Sequence, residues 1–265
     1  MLILKLTIVP LFILLVTLAG KKWGTQLAGL LGGLPVVAGP IVVFLALEQG
    51  QAFGAVAATS AIASVVALLA FGVAYSWFCL SKTLPVAYLW SLMVWLLTAF
   101  LLSQLMLTPL LALSLALTAI LLTPLLLPKV LHEPSGSNSL KDLPWRLISG
   151  AVLTLAVTQS AQLLGENWSG ILAVFPVIGS VLVIFTHRNQ GAAAVTQLYR
   201  GMVKGLCSLS LFFLILTYAW QDNGFWWPVG IAIFSALGLQ LLFKLSALIH
   251  QSRSKSISNI ETDSF

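Results

Sequence analysis

Three polar residues with helical spacing, Gln197, Arg200 and Lys204, are the first candidates for chemistry in this sequence. Intervals of three and four residues bring the three side chains to one face of a helix. A cation at the apolar depth of a membrane is energetically costly and usually functional. On such a helix the charges would bind an anionic substrate or helix carbonyls. The alternative is an interfacial position, which the sequence favours for Arg200 and leaves open for Lys204, whose long stem reaches toward water.

Two segments that contain proline form the second candidate site. The residues expected to bind substrate there are Pro35, Gly39, Pro40, Pro176, Gly179 and Ser180. Proline removes a backbone donor and clashes with the preceding helical turn, so it frees carbonyl groups. Within a membrane these carbonyls need partners, and broken helices at corresponding positions are typical of a transporter's binding site. The simpler alternative is a kink in each helix, with glycine allowing close packing.

The other polar residues form no recognisable catalytic set. His187 ends an apolar segment beside Arg188, where it either titrates during proton coupling or lies at the interface. Cys79 and Cys207 form no metal-binding or redox motif and are interpreted as packing residues. The sequence also lacks metal-ligand spacing and the motifs of hydrolases, nucleotide-binding proteins and metalloproteases. We therefore expect no enzymatic activity, no metal ion and no cofactor.

The composition indicates what positions these residues. Of 265 residues, 59% are hydrophobic and only 8% are charged, and the mean hydropathy is +1.03. Soluble domains carry about 25% charged residues, so a soluble enzyme, a nucleic-acid-binding protein and a disulfide scaffold are excluded. The sequence predicts an all-α polytopic integral membrane protein with about nine transmembrane helices. The predicted spans are 3–20, 27–47, 53–80, 86–107, 110–127, 145–165, 169–187, 191–220 and 225–249.

The charges predict an orientation in the membrane. Twelve of the 13 Lys and Arg residues fall in or beside connections on one side of the predicted bundle, and only Lys5 falls on the other. The opposite connections carry Glu48, Glu166 and Asp222. Because cytoplasmic loops are enriched in Lys and Arg, we expect a periplasmic N-terminus and a cytoplasmic C-terminus. The lipid bilayer is the expected partner, nucleic acid is not, and the sequence leaves a homodimer open.

An internal duplication divides the chain. With an offset of 141 residues, segment 29–36 aligns with segment 170–177, and Gln49-Gly50 aligns with Gln190-Gly191. Five spans precede the second copy, and an odd number inverts it relative to the first. The predicted organisation is 1–107 first repeat, 108–128 linking transmembrane helix, 129–144 cytoplasmic loop, 145–250 second, inverted repeat and 251–265 disordered cytoplasmic tail.

Part of the second copy resembles a known family. Segment 168–220 carries Gly170, Phe175 and Pro176, then Arg188 and Gly191, then a span rich in glycine and aromatic residues. In these features it resembles the GlpM-like small bacterial inner-membrane proteins, and the first half looks like a diverged copy of the same unit. The resemblance implies an inner-membrane protein and supplies no catalytic residues.

These features predict a secondary transporter or permease for a small anionic or amphiphilic solute. Two similar halves that face opposite ways give two states of similar energy, one open to each side of the membrane, as alternating access requires. The alternative is a non-transporting membrane subunit or assembly factor of an envelope complex. A transporter should bring Pro35 and Pro176 together around a polar cavity, whereas a scaffold should seal that region with side chains.

Overall fold

The structure is a computed structural model that describes residues 2–129, 140–163, 166–220 and 224–262, and within these ranges its regular elements are all α-helices. They are α1 (Leu2–Trp23), α2 (Thr25–Gly32), α3 (Ala38–Gln49), α4 (Gln51–Ala63), α5 (Val65–Phe78), α6 (Leu84–Ser103), α7 (Pro109–Leu126), α8 (Leu143–Leu163), α9 (Glu166–Ala173), α10 (Val177–Ala219) and α11 (Trp226–Thr262). Asp222 and most of the predicted loop 129–144 lie outside the described residues.

The helices fit a protein embedded in a membrane. Five described segments are long and apolar enough to cross one: Gln51–Phe78, Leu84–Ser103, Pro109–Leu126, Trp168–Ala219 and Trp226–Ser246. Helices α6, α7 and α11 expose large hydrophobic side chains such as Met93, Leu125 and Phe234. Helices α4, α5 and α10 are mostly buried. A buried inner group of helices is therefore surrounded by an apolar surface suited to lipid.

Each predicted proline break is present, and the two breaks contain equivalent backbone hydrogen bonds. Between α2 and α3, the Leu34 N–H donates to the Leu31 carbonyl at 2.9 Å. Between α9 and α10, the Phe175 N–H donates to the Leu172 carbonyl at 2.9 Å, and these two residues lie 141 positions after the first pair. Both breaks are thus tightened three-residue turns, which satisfy carbonyls that proline would otherwise leave unpaired.

The helix after each break restarts in the same way. The Gly39 N–H donates to the Pro35 carbonyl at 2.8 Å, and the Ser180 N–H donates to the Pro176 carbonyl at 2.6 Å. Equivalent hydrogen bonds at both breaks show that the sequence repeat is also a repeat of local backbone structure.

Two glycines reverse or bend the chain at equivalent positions. Gly50, between α3 and α4, has φ +97°, and Gly191, inside α10, has φ +79°. L-residues with side chains rarely adopt this conformation, so glycine is required at both turns. The 43 residues of α10 would span about 65 Å as one straight helix, and Gly191 divides them into two helical segments.

The two copies pack through reciprocal close contacts. A Cβ atom on Gly29 of α2 would lie 1.9 Å from the carbonyl oxygen of Leu198 in α10. A Cβ atom on Gly170 of α9 would lie 2.1 Å from the carbonyl oxygen of Ala57 in α4. Gly170 and Leu198 lie 141 positions after Gly29 and Ala57, so the two contacts exchange the same pair of surfaces.

Two segments differ from or refine the sequence-based expectation. The charge-free run divides at Thr108-Pro109 as predicted, with α6 ending at Ser103 and α7 beginning at Pro109. Helix α11 continues to Thr262, whereas the composition predicted no structure after residue 250. No glycine or proline follows Gly238 within α11, so nothing in its backbone stops the helix.

Candidate functional site

Residues next to the two proline breaks line one shared cavity, which we call the central cavity, although Pro35 itself is not part of its lining. A cavity of about 40 Å³ lies between them, lined by Leu34 and Val37 from the first copy and by Phe175 and Ile178 from the second. Phe175 and Ile178 lie 141 positions after Leu34 and Val37, so equivalent residues face each other across the cavity. Pro176 also lines it. The structure therefore brings the predicted breaks together.

This central cavity is small and mostly apolar. Water occupies about 30 Å³ per molecule in the liquid, so the space holds about one water molecule. The carbonyls of Leu31 and Leu172 accept hydrogen bonds from their own turns and are not left free. In this conformation side chains leave little free space between the two breaks.

The candidate residues just after the breaks have different surroundings in the two copies. Ser180 is fully buried, and its hydroxyl accepts a hydrogen bond from Tyr88 at 3.1 Å. Its counterpart Gly39 faces the ring of Phe212 instead, with 3.2 Å from an added Cβ to the nearest ring atom. Pro40 lines a separate apolar cavity of about 10 Å³. The second copy thus carries a hydroxyl of its own four residues after its proline, where the first copy has a glycine.

His187 is connected to the same region through aromatic hydroxyls. Its Nδ1 lies 3.1 Å from the Tyr75 hydroxyl. Phe71 separates Tyr75 from Tyr88, with 6.1 Å from its ring centroid to each. Because Tyr88 bonds Ser180, a layer of hydroxyl groups extends from the half-buried histidine to the second break.

Tyr199 adds a buried hydroxyl to this layer. Its ring packs against Gly72, one turn before Tyr75, at 2.4 Å from an added Cβ. The Tyr199 hydroxyl has no hydrogen-bond partner among the described residues. Tyr75 and Tyr199 were not among the predicted site residues because their proximity depends on the packing of α5 on α10.

A larger cavity lies elsewhere, beside α4. It has a volume of about 200 Å³, and its polar lining comes from Thr59, Ser60, Ser103 and Thr217. The hydroxyls of Thr59 and Thr217 lie 3.4 Å apart, which joins the first copy to the second. Small residues around Thr59 and Ser60 leave space next to two hydroxyls, but the sequence alone does not show which helices complete the cavity.

Five contacts show that the connections carrying Lys and Arg lie at the same end of the bundle, which we call the basic end. They join the pairs Trp23–Lys244, Thr25–Gln197, Asp142–Asn189, Tyr75–His187 and Trp77–Leu126. The turn between α6 and α7 and the contact of Gly54 with Trp220 lie at the opposite end. The 200 Å³ cavity is lined by residues of that α6–α7 turn, so it lies toward the opposite end.

The three predicted anion-binding residues share an exposed face near the basic end. Gln197, Arg200 and Lys204 are all exposed. The Gln197 amide oxygen accepts a hydrogen bond from the Thr25 hydroxyl at 3.2 Å, which fixes this face beside the start of α2. The structure does not bring these residues to the central cavity between the proline breaks.

The sequence did not indicate the burial of one further cation, Arg146. Its side chain is only 2% exposed, and its guanidinium carbon lies 5.0 Å from the Phe185 ring centroid. Its Nε and Nη2 atoms have no hydrogen-bond partner within the described part of the chain. The charge pattern placed Arg146 at the entrance of a span, but packing on Phe185 encloses it.

Comparison of the chain with known protein families, with characterised proteins and with solved structures found no match. The resemblance to GlpM-like proteins therefore stays a prediction, and the function has to be inferred from the geometry of this chain.

Proposed function

We propose that the chain is a bacterial inner-membrane secondary transporter for a small anionic or amphiphilic solute, built from two inverted repeats. The observation that carries the proposal is the reciprocal pair of contacts, Gly29 with Leu198 and Gly170 with Ala57. Exchange of the same two surfaces is what a two-fold axis between the copies produces. The matching backbone of the two proline breaks supports the same axis.

Nine membrane crossings follow from combining the helices with their breaks. Four of the five long apolar segments count once each, and Trp168–Ala219 counts twice because Gly191 divides it. Helix α1, the broken pair α2–α3 and helix α8 add three crossings. Five crossings then precede the second copy, which inverts it and places the two-fold axis in the membrane plane. With the basic end in the cytoplasm, the N-terminus is periplasmic.

The 200 Å³ cavity is the proposed solute-binding site in the state open to the periplasm. Its hydroxyls and apolar walls suit a small solute that has both polar and apolar parts. Thr59 and Ala63 line this cavity, and their counterparts 141 positions later are Arg200 and Lys204. In the state open to the cytoplasm, the equivalent cavity is lined by these cations, which favour an anionic group on the solute.

One observation favours the alternative function, a non-transporting membrane subunit. The centre between the proline breaks holds a cavity of only about 40 Å³ and is sealed mainly by apolar side chains. A static scaffold requires this closure at all times. A transporter requires this closure only in one state. The two functions therefore differ in whether the two ends of the bundle open and close in alternation.

The deciding experiment measures that exchange without knowing the solute. In a chain whose native cysteines are replaced by serine, Val56→Cys and Leu105→Cys are joined across the 200 Å³ cavity by an impermeant bifunctional thiol reagent. The reactivity of Lys204→Cys toward an impermeant thiol reagent is then measured from the cytoplasmic face. Closing the periplasmic cavity should raise this reactivity severalfold, because the closed outer state is coupled to the open inner state.

The matched control joins Leu105→Cys to Leu107→Cys, a link confined to the α6–α7 turn. This control link should leave the reactivity of Lys204→Cys toward the thiol reagent unchanged. Equal reactivity with both links would favour the scaffold. For the solute, metabolite profiles of a deletion strain and an overexpressing strain should differ in an anionic or amphiphilic compound, which is then tested for uptake into vesicles.

A further inference from the structure

Two lysines from distant helices share one indole ring at the basic end. The Nζ atom of Lys22, in α1, lies 4.9 Å from the ring centroid of Trp23, and the Nζ atom of Lys244, in α11, lies 5.1 Å from it. The two ammonium groups are therefore at most about 10 Å apart. The electron-rich ring attracts both cations, but it does not neutralise their charges.

Helix α10 brings a third cation to the same level. The hydrogen bond from Thr25 to Gln197 fixes the α10 face that also carries Arg200. Arg200 lies twenty residues before Trp220, and Lys244 lies eighteen residues after Trp226. At 1.5 Å per residue these positions are about 30 Å and about 27 Å from the opposite end. The three cations therefore lie in one layer, around the start of α2.

The described carboxylates do not balance these charges. Asp142 accepts a hydrogen bond from Asn189 at 2.9 Å, and Glu48 lies at the opposite end of the bundle. Helix α2 also begins here without a side-chain cap, since its N-cap residue is Gly24. Its first backbone N–H groups add a partial positive charge to the same layer.

The surroundings of Lys244 distinguish a lipid from a dissolved anion. Leu241, Leu242 and Leu245 on α11 are all exposed beside it, and Trp23 is 55% exposed. A tryptophan at this level is typical of the membrane interface, and the leucines offer an apolar surface to acyl chains. A ligand that fits both features has a phosphate group and hydrocarbon tails.

We propose that Lys22, Arg200 and Lys244, together with the start of α2, bind the headgroup phosphate of an anionic phospholipid in the cytoplasmic leaflet. Basic pockets between transmembrane helices on the cytoplasmic side are suited to such headgroups. The lipid site shares Arg200 with the proposed cytoplasm-facing solute cavity, whereas Lys22 and Lys244 belong to the lipid site alone. Lipid binding by this site does not require transport.

The test is native mass spectrometry of the purified full chain, titrated with phosphatidylglycerol and, separately, with zwitterionic phosphatidylethanolamine. Phosphatidylglycerol should bind more tightly. One charge near a membrane contributes about 1 kcal/mol, or about fivefold in affinity. Arg200→Gln should therefore weaken phosphatidylglycerol binding about fivefold, and the double variant Lys22→Gln/Lys244→Gln about 25-fold. Binding of phosphatidylethanolamine should change much less.

Two variants separate the site from general effects. Lys82→Gln removes an exposed lysine from the α5–α6 turn at the same end and should leave binding unchanged. Lys22→Arg/Lys244→Arg keeps both charges and should retain binding. An equal loss in Lys82→Gln would overturn the site, as would equal affinity for the two lipids. Displacement of phosphatidylglycerol by millimolar glycerol phosphate would assign the cations to a dissolved anion and overturn the lipid assignment.

Discussion

Replacing Gly29 or Gly170 by alanine should destabilise the protein to a similar extent, because the two residues occupy equivalent helix crossings. The added Cβ would lie 1.9 Å from the Leu198 carbonyl oxygen in the first case and 2.1 Å from the Ala57 carbonyl oxygen in the second. Real Cβ contacts are essentially never shorter than 3.0 Å. Each substitution therefore has to move two helices apart by about 1 Å.

The obstacle in each case is backbone, which cannot turn away as a side chain can. Overpacking of this kind lowers the free energy of unfolding by about 1–3 kcal/mol. For a chain of this size, 1 kcal/mol corresponds to about 2–4 °C in the melting temperature. We expect Gly29→Ala and Gly170→Ala each to lower it by about 2–12 °C, measured by tryptophan fluorescence of the purified protein in detergent.

The chain supplies its own control for this measurement. Gly238 is also helical, but an added Cβ there meets nothing within 4 Å. Gly238→Ala should be neutral or slightly stabilising, since alanine favours a helix by up to about 1 kcal/mol over glycine. If Gly29→Ala melts at the same temperature as Gly238→Ala, the close crossing is refuted. If only one of Gly29→Ala and Gly170→Ala destabilises, the structural equivalence of the two crossings is refuted.

Three further predictions concern topology, solute charge and the hydroxyl layer. For topology, both native cysteines are replaced by serine and single cysteines are labelled with an impermeant maleimide. Met106→Cys should react in intact spheroplasts, and Lys82→Cys should react only after permeabilisation. Labelling of both from the same side would contradict the proposed crossings. For solute charge, a strain with Lys204→Gln should have the metabolite profile of the deletion strain, and a strain with Lys204→Arg should have the wild-type profile. Both variant proteins must be present in the membrane at the wild-type level. Wild-type profiles in both strains would place Lys204 outside the solute path. Tyr75→Phe removes the hydroxyl 3.1 Å from His187 Nδ1 and should lower the free energy of unfolding by about 1 kcal/mol; unchanged thermal unfolding would show that this hydrogen bond contributes no net stability.

The helix breaks could be predicted from sequence because their causes are local. Proline at positions 35 and 176 cannot donate to the preceding turn, whatever surrounds it. Gly50 and Gly191 adopt positive φ values that few other residues accept. The turn at Thr108-Pro109 follows from the same kind of constraint. Such signals remain readable in a sequence whose helices are apolar on every side.

The polar cavity and the buried arginine could not be predicted, because both depend on tertiary packing. Thr59 and Thr217 are 158 residues apart, and only the packing of α4 against α10 brings their hydroxyls together. Arg146 lies where the charge pattern expects an interfacial cation, and Phe185 then encloses it. The helical spacing of Gln197, Arg200 and Lys204 correctly gave them one face, but spacing alone does not specify which cavity that face borders.

The difference between the two copies is functionally more informative than their likeness. The repeated prolines and glycines give both copies equivalent backbone hydrogen bonds and equivalent positive-φ turns. The side chains at equivalent positions then differ in charge: Thr59 and Ala63 in the first copy correspond to Arg200 and Lys204 in the second. The proposed two-fold scaffold would have a neutral cavity at one end and cations at the other, and would offer an anionic solute two unequal environments. Under the proposed alternation, that inequality holds the anion more strongly at the cytoplasmic end, and raising the ionic strength there should speed its release by screening the attraction.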